Sequence, residues 1–330
     1  MPKLTLLLLI LTLASCQTAL PPTSESTAMA VAPTTVPPFP TLSPATITPP
    51  PTATALPLPT STLRPTATSA PTATPTATRA WMETAVIGTS VEQHPIELFR
   101  FGGGERPFVL AAALHGAHEC NTHELAQAFI TYFADHPEAV PATITLYILP
   151  LLNPDGCAHN SRANAHNVDL NRNWDTPDWT ADAQGPNGTI PGSGGMAPFS
   201  EPETQVIGYW LRELIAQSPT PPHLISYHSS VPPNGLVQPG YDQNGTVDPA
   251  AEALAHAYAE ATGYTYSATW VGSYQITGEL IYWARLQGIV AIDVELPNGR
   301  SAHTIPDGHT ETHVETNLRG VGQVLQHYGK

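Results

Sequence analysis

The chain has 330 residues, of which 36 are Pro and only 12% carry charge, and its acidic residues outnumber the basic ones 27 to 12. The imbalance falls on the part from Trp81 onward, which holds 9 of the 12 basic and 26 of the 27 acidic residues. Such a surface repels phosphate backbones and argues against nucleic-acid partners. Its 250 residues (81–330) suffice for one α/β domain with a large core.

Lys3, the apolar run Leu4 to Leu13 and then Ala14-Ser15-Cys16 have the layout of a secretory signal, too short for a membrane-spanning helix. Leu13-Ala14-Ser15-Cys16 resembles the bacterial lipobox, in which the Cys becomes an acylated N-terminus. The resemblance implies a signal over 1–16 and membrane attachment only through acyl chains on Cys16; the alternative is ordinary secretion. Residues 17–80 are Pro, Thr, Ala and Ser with almost no charge. Proline removes backbone donors and there is too little apolar bulk to offset the entropy of ordering, so an extended linker is expected. A monomer at the cell envelope, facing outward, follows from these readings.

Within 81–330, Arg106 to His115 is a continuous apolar run, expected as a strand buried on both faces. Asn121 with Glu124 has the spacing of a capping box and opens a predicted helix through Leu125, Phe129 and Phe133. Thr143 to Leu152 is a second buried strand ending in the turn Asn153-Pro154-Asp155-Gly156. Ser200 to Glu203 starts a helix with the apolar stripe Val206, Trp210, Leu211 and Leu214. Leu224 to His228 is a strand, Pro249 to Thr262 and Gly278 to Leu286 are helices, Ile289 to Leu296 is a strand, and a last helix runs from about Thr310 to His327. Alternation of this kind predicts an α/β fold with a mixed, mostly parallel central sheet and helices on both faces. Reactive groups collect where the strands of such sheets end, and His115, Asn153, His228 and Glu295 all stand at predicted strand ends.

His115-Gly116-Ala117-His118-Glu119 offers two imidazoles and a carboxylate, and Ser226-Tyr227-His228 adds a third imidazole. Two His and one Glu form a hydrolytic zinc set that leaves a position open for water. Farther along the chain stands Asp169-Leu170-Asn171-Arg172-Asn173-Trp174, preceded by the Asn153 to Gly156 turn. These motifs, with the Tyr274-Gln275 segment and Glu295-Leu296, resemble in type and order the zinc metallocarboxypeptidase family of carboxypeptidase A type. The resemblance spans essentially 81–330.

Carried over by position, the resemblance implies one zinc ion held by His115, Glu119 and His228, with Glu295 as general base. It implies Arg162 as stabiliser of the oxyanion, and Asn171 and Arg172 as holders of the substrate's terminal carboxylate, a task that suits the guanidinium fork. Tyr274 matches a tyrosine that closes over substrate, and Ile281 matches the floor of the pocket for the C-terminal side chain, which implies apolar residues as the preferred leaving group. Glu279, two positions earlier, leaves open a basic residue or a diaminopimelate. The family's ligand pair is His-x-x-Glu, whereas Glu119 lies four positions after His115, so His118 remains an alternative donor. The implied activity is release of a C-terminal residue from a peptide; a peptidoglycan stem-peptide amidase and a non-catalytic binding module are the alternatives. Cys120 and Cys157 follow loops that the family places around one site, which leaves a disulfide open. His303, His309 and His313 are read as solvated surface.

Overall fold

The computed structural model describes residues 81–330, apart from Pro186, Pro232, Gln243, Gly299 and Arg300. The signal segment, Cys16 and the Pro/Thr-rich linker lie outside the described residues. The described residues form ten strands: β1 Met82–Thr89, β2 Pro95–Gly102, β3 Arg106–Ala112, β4 Ile144–Leu149, β5 Ala183–Gly185, β6 Gly188–Ile190, β7 His223–Ser229, β8 Leu236–Pro239, β9 Thr265–Tyr266 and β10 Val290–Leu296. Eight of them form one sheet in the order β1-β2-β4-β3-β7-β10-β8-β9, and β5 and β6 pair as a separate ribbon. Its centre, β4-β3-β7-β10, is parallel, while β1, β2 and β8 run antiparallel to their inner neighbours. The fold is therefore the mixed α/β sheet expected.

Alternation along the strands builds two cores. Phe108 and Leu110 of β3 join Ile225, Tyr227, Ile292 and Val294 on one face, covered by α1 (Asn121–Asp135), α4 (Pro249–Thr262) and α6 (His313–Tyr328). Val109 and Ala111 point the other way, with Leu224 and Ala291, under α3 (Pro202–Gln217) and α5 (Leu280–Leu286). A further short helix, α2 (Pro154–Ala158), follows β4. Among the described residues no helix is long and apolar enough to cross a membrane.

Two local expectations are corrected. The capping box at Asn121 is absent: α1 continues from a 3₁₀ turn, Ala117–Cys120, with Cys120 at the N-cap. Glu124 instead accepts from the Ala302 amide (3.0 Å) and the Ser301 hydroxyl, so a distant loop takes the carboxylate that the local pattern assigned to the helix start. The capping box that does form is Thr312 with Glu315, at α6. The second correction concerns His313, read as surface: it is fully buried and neither ring nitrogen has a hydrogen-bond partner among the described residues.

Burial, with the charge of His309 nearby, pulls His313 down to about 4, and burial beside Arg106 pulls His223 to about 4. Between pH 6.5 and 4 the unfolded chain therefore binds protons that the folded chain refuses. Their contribution is whole above pH 6.5 and is lost as pH falls toward 4, on the order of 2 kcal/mol for His313. The urea midpoint should drop between pH 6.5 and 4.5, and drop less in His313→Leu. An equal drop in both proteins would assign the effect to other groups.

Candidate active site

The site is assembled at the ends of three neighbouring parallel strands. β10 and β7 pair in register, so Asp293 stands beside Ser226 and Glu295 beside His228, all four on one face by the two-residue period. His115 lies three residues past β3. The chain there turns back through Gly116, where a Cβ would lie 2.1 Å from the Ser161 carbonyl oxygen and 2.3 Å from the Gly156 backbone, so only glycine fits. Ala117 takes a left-handed conformation (φ 56°). This residue absorbs the extra position between His115 and Glu119, and the 3₁₀ turn brings Glu119 back under the His115 ring. A disulfide joins the next residue, Cys120, to Cys157 of α2, fastening the turn that carries Glu119.

His115 Nδ1 lies 3.0 Å from Glu119 Oε2, His228 Nδ1 lies 3.3 Å from the same oxygen, and the two Nδ1 atoms are 3.2 Å apart. Three donors bonded at about 2.0–2.1 Å to a tetrahedral ion would be separated by roughly 3.3 Å, so the set fits zinc. The remaining ring nitrogens are held from behind. His115 Nε2 faces Asp169 Oδ1 at 2.9 Å, and His228 Nε2 faces the Ser226 hydroxyl at 2.9 Å and Asp293 at 3.6 Å. Such partners fix the tautomer that leaves Nδ1 free to bind metal. Burial opposes charge on Glu119, but His115 and Arg162 hold its carboxyl well below the usual range. Burial also disfavours the charged form of His228, yet Asp293 and Glu119 raise it well above 6.5, a field that favours a cation here. His118 is exposed and stands outside this donor set.

The donors open into a cleft of about 320 Å³ that is also lined by Arg162, Asn171, Arg172, Gln238, Trp270, Tyr274, Ile276, Glu279, Asp293 and Glu295. Arg172 is 2% exposed, and its two hydrogen bonds go to the backbone carbonyls of Asn171 and Gln184. No carboxylate lies within salt-bridge range of it among the described residues. Asn171 is held by the Leu280 amide, which donates to Oδ1 (2.9 Å). Arg162 bridges Glu119 Oε1 (2.6 Å) and Asp169 Oδ2 (2.9 Å), so its guanidinium rests on the metal-donor shell. The Tyr274 ring packs 5.6 Å from Trp270 and 6.0 Å from the Arg172 guanidinium, on the loop over the cleft. Burial, with Glu119 and Asp293 nearby, pushes Glu295 up to about 8.

Ile281 is not where the resemblance put it. It is fully buried in the core cluster that also holds Ile207 and Leu211, and it is not among the residues that line the cleft. Gly278 bends the chain (φ 64°) and Glu279 becomes the N-cap of α5, which turns Glu279 into the cleft and Ile281 into the core. Glu279 is 1% exposed and accepts from the Tyr241 hydroxyl at 2.7 Å; burial and then Asp293 push it up to about 8. Asp293 Oδ1 is buried without a hydrogen-bond partner. Asp169 and Asp293 carried no assigned role in the sequence, though each stands two positions from a residue that did.

The sequence model of a family described as zinc carboxypeptidase matches residues 74–319. The chain belongs to this family. Among solved structures, this carboxypeptidase is similar to bovine thrombin-activatable fibrinolysis inhibitor in complex with a tick carboxypeptidase inhibitor (17% identity, TM-score 0.59, 75% of this chain and 90% of that one). It is similar also to carboxypeptidase A from Helicoverpa armigera (19%, 0.60, 75% and 68%) and to the murein-tripeptide amidase from Escherichia coli O157 (22%, 0.51, 74% and 91%). At these identities the likeness shows the fold. No curated protein sequence shows significant similarity to the chain.

The carboxypeptidase should lose the zinc ion of the cleft when His115, Glu119 or His228 becomes Ala and keep it in His118→Ala. Zinc loss in His118→Ala with retention in Glu119→Ala would exchange the two assignments.

Proposed function

We propose that the chain is a zinc-dependent carboxypeptidase that releases C-terminal residues bearing an amine or other cationic side chain. The observation that carries the reading is the pair Glu279 and Asp293, two buried carboxyls that line the cleft outside the metal-donor set. An amine placed against them gains charge-assisted hydrogen bonds. An apolar side chain would leave Asp293 Oδ1 desolvated without a partner and Glu279 with only the Tyr241 hydroxyl.

Arg172, with Asn171 beside it, receives the terminal carboxylate of the substrate, an acidic partner that its buried guanidinium lacks among the described residues. His115, Glu119 and His228 would hold the zinc ion, which would supply Lewis-acid polarisation of the scissile carbonyl and acidify water. Glu295 takes the proton from the attacking water and returns it to the leaving amine. Asp169 keeps His115 in its metal-binding tautomer, and Ser226 and Asp293 do the same for His228. Arg162 turns from its carboxylates toward the developing oxyanion, and Tyr274 covers the bound residue.

A cell-wall stem peptide ending in diaminopimelate meets the same demand for a distal amine, and the similarity to the murein-tripeptide amidase favours including it as a substrate. Incubating the zinc-loaded protein with a mixed peptide library and with cell-wall fragments, and reading released residues by mass spectrometry, tests the proposal. Lys, Arg or diaminopimelate should appear at least about tenfold faster than Phe or Leu, a gap of about 1.4 kcal/mol. Equal or reversed release overturns it.

We propose further that acyl chains on Cys16 hold the enzyme at the outer face of the membrane, with 17–80 as its spacer and 81–330 as its catalytic domain. Cys16→Ser should move the protein from the detergent phase to the aqueous phase, since attachment rests on lipid alone. Retention in the membrane fraction would show another anchor.

A further inference from the structure

Away from the cleft, the turn between β1 and β2 meets α2 and gathers four donor side chains. Glu92 and His94 lie in the turn, Asp155 in the first turn of α2, and His159 at its C-cap. Donor atoms of Glu92, His94 and Asp155 lie within 4.8 Å of one another. His94 Nδ1 is 2.7 Å from Asp155 Oδ1, and His159 Nε2 is 2.8 Å from Glu92 Oε2.

Asp155 is fully buried and fixed: the Ser90 hydroxyl donates to Oδ1 (2.6 Å) and the Glu92 amide to Oδ2 (3.0 Å). The side chains of Glu92, His94 and His159 are 40%, 49% and 56% exposed, free to adjust around that anchor. Glu203, also buried, accepts from the amide of Val91 in the same turn (3.2 Å). Among the described residues the salt bridges of Asp155 and Glu92 go only to these histidines, so three acids share the corner with no Lys or Arg in ion-pair range.

Glu92, His94 and Asp155 already converge, and His159 reaches the same corner through Glu92; two imidazoles and two carboxylates are a donor set for a borderline divalent ion, zinc foremost. We propose that Glu92, His94, Asp155 and His159 form a second zinc site, separate from the catalytic one. The ion replaces two side-chain pairs by four bonds to one centre and ties the β1–β2 turn to α2. Because α2 is joined by the Cys120–Cys157 disulfide to the turn bearing Glu119, the site braces the scaffold behind the cleft. It takes no part in the hydrolysis.

The test is the metal count of the full chain equilibrated with excess zinc chloride, washed and measured by plasma mass spectrometry, beside its thermal melt. Wild type should carry two zinc ions and His94→Ala/His159→Ala one. Either single change should weaken the second ion at least about tenfold. Added zinc should raise the Tm of the wild type and leave that of the double variant where it was. His228→Ala should lose the catalytic ion and keep the one at Glu92, so the two sites fail separately. One ion in the wild type, or two in the double variant, overturns the proposal.

Discussion

Replacing Glu295 with Gln should leave the zinc and the fold in place while lowering kcat by roughly two to four orders of magnitude. The amide keeps the size of the carboxylate and its capacity to accept a hydrogen bond, so strand β10 has no reason to shift. What it removes is a base. The parallel register sets Glu295 beside the metal donor His228, and burial, opposed by His228 but assisted by Glu119 and Asp293, has already raised its proton affinity to about 8. A carboxyl poised there is matched to proton transfer near neutral pH, and Gln cannot perform it. Because Glu295 makes no claim on the terminal carboxylate, KM should change little. The measurement is steady-state kinetics on protein with confirmed zinc content and an unchanged circular dichroism spectrum. Residual activity above about a tenth of wild type would remove Glu295 from the role of base.

The centre of the fold was legible because β3 is buried on both faces and reads as an apolar run, and β7 and β10 are apolar around Ser226, His228, Asp293 and Glu295. The edges were not. β1 is exposed over most of its length and β9 has two residues, so neither carries a periodic signal strong enough to separate strand from loop. Helix ends were legible where local chemistry decides them, as at α4 with Asp248, Pro249 and the left-handed Gly263. A cap was misread where a distant partner decides it, as when Ser301 and Ala302 engage Glu124, although α1 does open at Asn121. In the site, motif order singled out His115, Glu119 and His228, which the structure brings together. The shift from three to four positions could not be resolved, because a left-handed alanine at 117 follows from the tertiary approach of Gly116 to Gly156 and from nothing in the local sequence. Asp293 could have been found by the alternation that made Glu295 visible, since two residues apart on a strand means the same face.

Glu279→Gln should abolish the preference for cationic C-terminal residues, lowering kcat/KM for a Lys-terminated peptide about 100-fold, or about 2.7 kcal/mol, while a Phe-terminated peptide changes little. The wild-type carboxyl is buried at the N-cap of α5, with the Tyr241 hydroxyl on one oxygen and Asp293 as its acidic neighbour. Burial first, and Asp293 second, raise it to about 8, so in the free enzyme it is largely protonated at neutral pH and ionises as pH rises through that value. A lysine ammonium binds the ionised form better, and its own proton is held to about 10. The ratio of kcat/KM for Lys over Phe should therefore climb from pH 6.5 to 8.5 in the wild type and stay flat in Glu279→Gln. The ratio cancels the titration of Glu295, which both substrates share. Ile281→Asp separates this reading from the one based on position in the family. If Ile281 were the pocket floor, the substitution would recruit basic residues; placed in the core, it buries an unpaired charge and should cost several kcal/mol of stability instead. A folded Ile281→Asp enzyme with a new preference for Lys, or a Glu279→Gln enzyme that still favours Lys at every pH, would return the specificity pocket to Ile281.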